Sequence, residues 1–251
     1  MSESLKITFV GTSHGAPDLT RDCSSTLLTV GDRNYFIDGG APTAEFLSRR
    51  GMDFNSVKAL FNTHFHGDHI LGSLTMFSLI SWFYKDAGID VYLPEQCAVD
   101  TIRALLIAAE QHINEDRLRL HAFDEHFVYD DGALRLSVIP NWHLDCYDRP
   151  SYSFVIEACG KRVLFTGDMC HDLCDFPGVA YEEPLDLLVT ECAHCTIETL
   201  AEKITDPRFK AKAVAVNHIN PIGVREPTLL ELAKTLPFPL TVPHDGDEIV
   251  L

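Results

Sequence analysis

Long hydrophobic runs are missing from this 251-residue chain. Although 46% of its residues are hydrophobic, no stretch reaches the roughly 18 consecutive apolar residues of a helical membrane span. A secretory leader is not expected either, because Met1-Ser2-Glu3-Ser4-Leu5-Lys6 has no basic region followed by an apolar core. Positive charge is scarce: 20 Lys and Arg stand against 37 Asp and Glu, a formal charge of −17. No Lys/Arg cluster exceeds two residues. Affinity for folded RNA draws on basic side chains that neutralise phosphates, so a small or short substrate is expected instead. There is no linker, low-complexity run or charge block, and a single domain over residues 1–251 is expected. The eight cysteines follow no regular framework, and several sit singly in apparent strands or helices. That pattern points to a reducing compartment, the cytoplasm.

The run Asn62-Thr63-His64-Phe65-His66-Gly67-Asp68-His69 is the densest chemistry in the chain. Residues two apart in an extended chain point to one side, so His64 and His66 can offer both imidazoles to one metal. Gly67 permits a sharp change of direction, which lets Asp68 and His69 face a second ion. Phe54 to Phe61 reads as a short buried strand, and Ile70 to Tyr84 as a long apolar helix. The motif thus falls on a strand-to-helix connection, where a helix starting near His69 would aim its positive end at an anionic ligand.

Two metals need more ligands than one motif supplies. His143 follows the apolar run Leu134 to Ile139, Asp168 follows Val163-Leu164-Phe165-Thr166-Gly167, and His218 follows Ala213-Val214-Ala215-Val216-Asn217. Singly, each reads as readily as a cap or turn residue. Together with the first motif they make seven candidates, enough for two ions sharing one carboxylate.

His64-Phe65-His66-Gly67-Asp68-His69 resembles the His-x-His-x-Asp-His signature of the metallo-β-lactamase superfamily. The resemblance implies an α/β four-layer αββα sandwich, two facing sheets with helices outside. It also implies one site of His64, His66 and His143, a second of Asp68, His69 and His218, and Asp168 between the metals. Asp38 in Phe36-Ile37-Asp38-Gly39-Gly40 is similar to the superfamily's early Asp-x-Gly turn, which buttresses the metal loop without being a ligand. Within the superfamily the chain resembles the ribonuclease Z-like group, through Phe9-Val10-Gly11-Thr12-Ser13-His14-Gly15-Ala16-Pro17 and the following Cys23 to Leu28. Glu191 matches the glutamate of that group's His-Glu-Ala-Thr motif in position but lacks its neighbours. His194 lies near the place of its proton-transfer histidine; the alternative is that His194 caps the helix beginning near Ile197.

Two departures bear on substrate. Only 24 residues separate His143 from Asp168, and a hairpin from Tyr152 to Phe165 takes most of them, so the group's arm for gripping transfer RNA is absent. The group's aromatic and basic segment around the last ligand is replaced here by His218-Ile219-Asn220-Pro221-Ile222-Gly223, with Arg225 a partial substitute. The resemblance implies a hydrolase in which two divalent ions hold a bridging hydroxide, with His194 as general acid oriented by Glu191. Zinc suits the imidazole-rich first site, while manganese or iron are open for the second. A phosphodiesterase acting on a cyclic nucleotide, a short oligonucleotide or another small diester is the leading expectation. The alternatives are a lactone, thioester or sulfate-ester hydrolase, a tRNA-processing ribonuclease Z-like endonuclease, or a metal-binding signalling protein with incidental hydrolysis. The nearly all-apolar Ile70 to Tyr84 must be buried on most sides: either it packs against the sheet and the next helix, read from Glu95 to Ile113, or it makes a homodimer contact, as the resemblance to ribonuclease Z-like proteins implies. Cys170-His171-x-x-Cys174 with Cys192-Ala193-His194-Cys195 raises a third, structural zinc site and Cys192 with Cys195 a redox pair, beside the commoner outcome of buried free thiols.

Overall fold

Apolar residues on both faces of most strands require cover on both sides of each sheet, and the structure supplies it. The computed structural model describes residues 4–16, 19–111, 113–220 and 225–251. The first three residues, Pro17 and the segment Pro221-Ile222-Gly223 lie outside that description.

Strands β1 (Leu5–Gly11), β2 (Ser25–Val30), β3 (Arg33–Ile37), β4 (Val57–Phe61), β5 (Ile89–Leu93) and β6 (Leu118–Ala122) lie side by side in chain order. The last strand, β14 (Glu248–Val250), joins them beside β1. A second sheet holds β7 (Val128–Asp130), β8 (Leu134–Pro140), β9 (Tyr152–Ala158), β10 (Lys161–Phe165), β11 (Leu187–Cys192), β12 (Val214–Ile219) and β13 (Leu240–Thr241), again in chain order. Both sheets start antiparallel and become parallel, at the β3–β4 pair in the first and the β10–β11 pair in the second. Parallel neighbours need crossovers, which are helical here: α1 (Thr43–Arg49), α2 (Gly67–Ile70), α3 (Leu74–Trp82) and α4 (Gln96–Ala108) in the first half, then α5 (Val179–Glu182), α6 (Ile197–Ile204) and α7 (Arg225–Ala233).

Three apolar clusters make this the expected four-layer αββα sandwich. Phe9, Tyr35 and Phe61 of the first sheet meet Phe154, Ile156 and Phe165 of the second. Leu47, Phe77 and Ile102 cover the outer face of the first sheet, and Leu200, Ile204 and Leu229 that of the second. The β9–β10 hairpin closes through Cys159 and Gly160 alone, both left-handed, with φ of 53° and 71°. Two consecutive positive φ values suit the tight turns of two-residue hairpins, and they leave no room for an inserted arm.

Several local expectations need correction. Phe54–Ser56 is a single 3₁₀ turn, not strand, because the Asp53 side chain accepts the Asn55 N–H at 2.9 Å and curls the chain before β4. The helix read from Ile70 to Tyr84 starts only at Leu74 and ends at Trp82. A 3₁₀ turn, Leu71–Ser73, precedes it, since Gly72 packs so closely on the carbonyls of Gly40 and Ala41 that a Cβ would overlap them. Burial along this run is also incomplete: Met76, Phe77 and Ile80 are buried, whereas Leu71, Trp82, Phe83 and Tyr84 are exposed. The next helix is shorter than the expected Glu95 to Ile113.

Phe154 is fully buried between the sheets, so Phe154→Ala is expected to cost about 3–5 kcal/mol. A urea midpoint equal to the wild type would show that this inter-sheet contact is not under tension from packing.

Candidate metal centre

The first half of the centre is assembled behind β3 and β4. Asp38, just past β3, has a left-handed backbone (φ 58°), a conformation in which Asp and Asn are enriched among non-glycine residues. From there its Oδ1 accepts the Thr63 N–H at 2.8 Å and the Asn62 amide at 3.0 Å, while Thr63 Oγ1 donates to Oδ2 at 2.9 Å. Its Oδ2 also accepts His69 Nδ1–H at 2.8 Å. That bond fixes the tautomer and turns His69 Nε2 inward. Gly40 lets the turn bearing Asp68 come close, since a Cβ there would overlap the Asp68 carbonyl oxygen. The helix starting here, α2, has only four residues, so little dipole accumulates. The sequence expectation of a long helix aimed at the site does not hold.

The second half comes from the other sheet. Asn141 follows β8; its amide donates to the Thr166 carbonyl at 3.2 Å and its Oδ1 accepts the His143 N–H at 3.4 Å. Asp168 follows β10 across Gly167, whose φ of 60° and closeness to the Tyr152 carbonyl leave no space for a side chain. His218 was expected after its strand but lies inside β12, with a left-handed φ of 51°. The β11–β12 register shifts there, and such an irregularity re-aims a side chain.

These segments bring all seven candidates together. Asp168 Oδ2 lies 3.7 Å from His64 Nε2, 3.7 Å from His143 Nε2, 3.3 Å from His69 Nε2 and 3.2 Å from His218 Nε2. His66 Nδ1 sits 3.0 Å from His64 Nε2 and 3.3 Å from His143 Nε2. Asp68 Oδ2 is 3.6 Å from His69 Nε2 and 4.0 Å from His218 Nε2. Donor atoms thus converge in two groups, His64, His66, His143 and Asp168 on one side and Asp68, His69 and His218 on the other.

The donor chemistry fits divalent cations. His69 Nε2, His218 Nε2 and Asp168 Oδ1 are buried without a hydrogen-bond partner, which is costly unless something else satisfies them. Burial, reinforced by neighbouring imidazoles, holds His64 well below the usual histidine range and lowers His66 and His143. Neutral imidazole is the form that binds metal. Burial alone would raise the Asp168 pKa, but His218 and His69 outweigh it and hold the carboxyl well down. Two facing groups with one carboxylate between them suit a pair of cations.

Glu191 and His194 stand beside Asp168. Buried Glu191 accepts the N–H groups of Met169, Ala193 and His194 at 2.8–2.9 Å, and His194 Nδ1 lies 3.1 Å from its Oε1. His194 Nδ1 is also 3.7 Å from Asp168 Oδ2. Burial disfavours the imidazolium, yet the Glu191 hydrogen bond and the charge of Asp168 prevail and raise its pKa to about 9. His194 does not cap α6; Thr196 does, accepting the Thr199 N–H at 3.1 Å.

Other expectations fall outside this arrangement. Arg225 does not face the centre, because its guanidinium donates to the carbonyls of Cys192 (2.6 Å) and Cys195 (2.8 Å). Cys192 and Cys195 are buried free thiols hydrogen-bonded to each other. They do not join Cys170 and Cys174, and neither does His171. Sequence reading missed Asn62, Thr63, Asn141 and Asp175, which hold the ligand-bearing loops. An Asn or Thr beside a histidine carries no spacing signal of its own.

A family model described as Anti-Pycsar protein Apyc1 matches residues 5–206. Ribonuclease Z of Microcystis aeruginosa is 31% identical over 135 residues, covering 53% of this chain and 42% of the relative. The chain spans about half the length of the curated relatives it matches. The solved metallo-β-lactamase fold protein YhfI from Bacillus subtilis superposes with a TM-score of 0.80 at 16% identity, covering 99% of this chain and all of that one. A diphosphatase from the PhnP family gives 0.71 at 17% identity, covering 98% and 97%.

Asp38→Asn is expected to weaken metal affinity about 10–100-fold, because the amide that replaces the carboxylate no longer holds His69 as a charged acceptor. Isothermal titration of the chelator-stripped protein measures it; an unchanged affinity would remove Asp38 from the supporting role.

Proposed function

This chain belongs to the Anti-Pycsar protein Apyc1 family, and we propose that it is a dinuclear-metal-dependent hydrolase, a phosphodiesterase acting on a small or short phosphodiester. The convergence of seven histidine and aspartate side chains on two adjacent points carries this reading. His64, His66 and His143 would hold one cation and Asp68, His69 and His218 the other, with Asp168 shared. When bound, such a pair lowers the pKa of water toward neutrality and offsets charge building on phosphoryl oxygen. Zinc suits the three-imidazole side, and the side with Asp68 also accepts manganese or iron.

The remaining chemistry belongs to the protein. Glu191 engages His194 through Nδ1, which leaves Nε2 as the ring atom to meet a leaving oxygen. A pKa of about 9 keeps the ring protonated at neutral pH, as a general acid requires. The hydrogen bonds to Glu191 spare His194 the search for an orientation. Asp38 sets the His69 ring and Asn141 fixes the backbone at His143 before any substrate arrives.

Substrate size follows from what surrounds the centre. The two-residue hairpin turn at Cys159 and Gly160 leaves no arm to grip a folded RNA, and the charge of −17 repels a polyanion. The ribonuclease Z relatives support a second reading, tRNA-processing endonuclease activity, since one of them is 31% identical over 135 residues. No described helix is long and apolar enough to cross a membrane. The exposed Trp82, Phe83 and Leu71 support a homodimer through this face, as patches of exposed apolar side chains mark interaction sites.

Metal-loaded protein is expected to hydrolyse bis-p-nitrophenyl phosphate faster than a lactone or a thioester, and to leave a precursor tRNA intact. Preferential cleavage of the tRNA, or of the thioester, would replace the proposal with the corresponding alternative. His194→Ala is expected to lower kcat about 10²–10⁴-fold with metal content unchanged; equal turnover would remove His194 from proton transfer. Sedimentation at micromolar concentration is expected to give a dimer, and a monomer there would refute the contact.

A further inference from the structure

Outside the centre, one cluster of metal-competent side chains among the described residues remains without an assigned role. It lies on the turn that follows Asp168. Cys170 Sγ is 3.1 Å from Cys174 Sγ, 3.1 Å from Asp172 Oδ1 and 2.9 Å from Asp175 Oδ1. A thiol carries one proton. Two thiols therefore offer two protons for three contacts, and one sulfur contact is left with nothing between its partners. No described Lys or Arg forms an ion pair with Asp172 or Asp175. The donor atoms of Cys170, Asp172 and Cys174 thus lie within 4.8 Å of one another, with Asp175 against Cys170, and although Asp172 Oδ1 accepts the Cys174 N–H at 3.1 Å no described side-chain cation stands among them.

The turn is held in place from outside the cluster. Asp175 Oδ2 accepts the Trp142 N–H at 2.8 Å, and its two oxygens accept the Cys170 N–H at 3.1 and 3.2 Å. Leu173 takes a left-handed φ of 53°, which bends the backbone around the two sulfurs. Trp142 precedes His143, and Cys170 lies two residues past Asp168. The cluster consequently links the loops that carry these two residues of the main centre.

We propose that Cys170, Asp172, Cys174 and Asp175 form a separate site for a zinc-like divalent cation. Two sulfurs with two carboxylate oxygens give the four donors zinc favours, and the sulfurs exclude magnesium and calcium, which take oxygen. Zinc–sulfur bonds of about 2.3 Å in a tetrahedron place sulfurs about 3.8 Å apart, so the pair opens slightly on binding. Cys174 and Asp172 are at the surface and are free to rotate by that amount. Bound metal here releases the two thiol protons and staples the Asp168 loop to the His143 loop. The proposal does not depend on the hydrolytic reading, because it concerns other ligands and is measured without substrate.

The test counts metals and watches sulfur in the full-length chain. Zinc-loaded, dialysed wild type is expected to hold one cation more than Cys170→Ser/Cys174→Ser. Cobalt-loaded protein is expected to show sulfur-to-cobalt charge-transfer absorption that the double variant loses and His64→Ala/His66→Ala keeps. In the wild type, added zinc is expected to protect Cys170 and Cys174 from iodoacetamide, mapped by peptide mass, and a chelator to abolish that protection. This third arm holds even where the double variant fails to fold. Equal metal counts, no sulfur band, full alkylation in zinc, or a Cys170–Cys174 disulfide in protein purified under reducing conditions would each overturn the site.

Discussion

A buried carboxylate surrounded by imidazoles is the constraint to which the rest of the molecule answers. Asp168 is almost wholly excluded from solvent, and five histidine rings present a nitrogen within 3.7 Å of its Oδ2. An uncompensated charge at that depth costs several kcal/mol. Protons are only part of the remedy: burial and mutual repulsion resist charging His64, His66 and His143, while at His69 burial is outweighed by Asp168 and Asp38, which hold it well above the usual histidine range. Divalent cations would neutralise the carboxylates and take the ligand imidazoles in their neutral form. No single element could build such a point. It takes the ends of β3, β4, β8 and β10 and the interior of β12, from both sheets, so sheet register and site geometry stand or fall together.

Legibility in the sequence followed how locally each feature is encoded. The His64 to His69 motif could be read directly, because extended chain puts alternate residues on one side and glycine turns it. The hairpin Tyr152 to Phe165 could be read too, as two apolar runs with little between them. His143, Asp168 and His218 were visible only as members of a set, since each lies after or within a run that says strand and nothing more. The fold as a four-layer sandwich came from resemblance, while patterning alone gave α/β. Left-handed backbone at Asp38 and His218 carries no sequence mark, because neither is glycine. The break at Leu71–Ser73 arises from close packing against Gly40 and Ala41 in a distant loop, which no local propensity records.

Support around the ligands is shared between the two sheets in a consistent way. Asp38 holds His69 and Thr63, Asn141 holds the strand end that precedes His143, and Glu191 holds Met169, Ala193 and His194. Each is a short polar side chain satisfying backbone N–H or C=O groups of a neighbouring loop. Loops bearing ligands have few ladder hydrogen bonds of their own, and a buried polar group must find a partner. The same side chains that satisfy the backbone therefore also fix the rings. Precision at the centre is a by-product of hydrogen-bond accounting in the loops.

On the proposed function, net charge bears on which substrates that centre would meet. At physiological ionic strength charges interact over about 8 Å, so a small diester entering the cleft feels chiefly the site and its bound cations. A long nucleic acid extends beyond that range and would lay further phosphates along a chain that carries 37 acidic and 20 basic residues in all. With acidic residues in such excess, few added phosphates would gain counter-ion release from lysine or arginine. The attraction is confined to one point while the repulsion grows with length. On the proposed function, an acid-rich chain around a cation-filled centre would select against length without touching the substrate's reacting atoms.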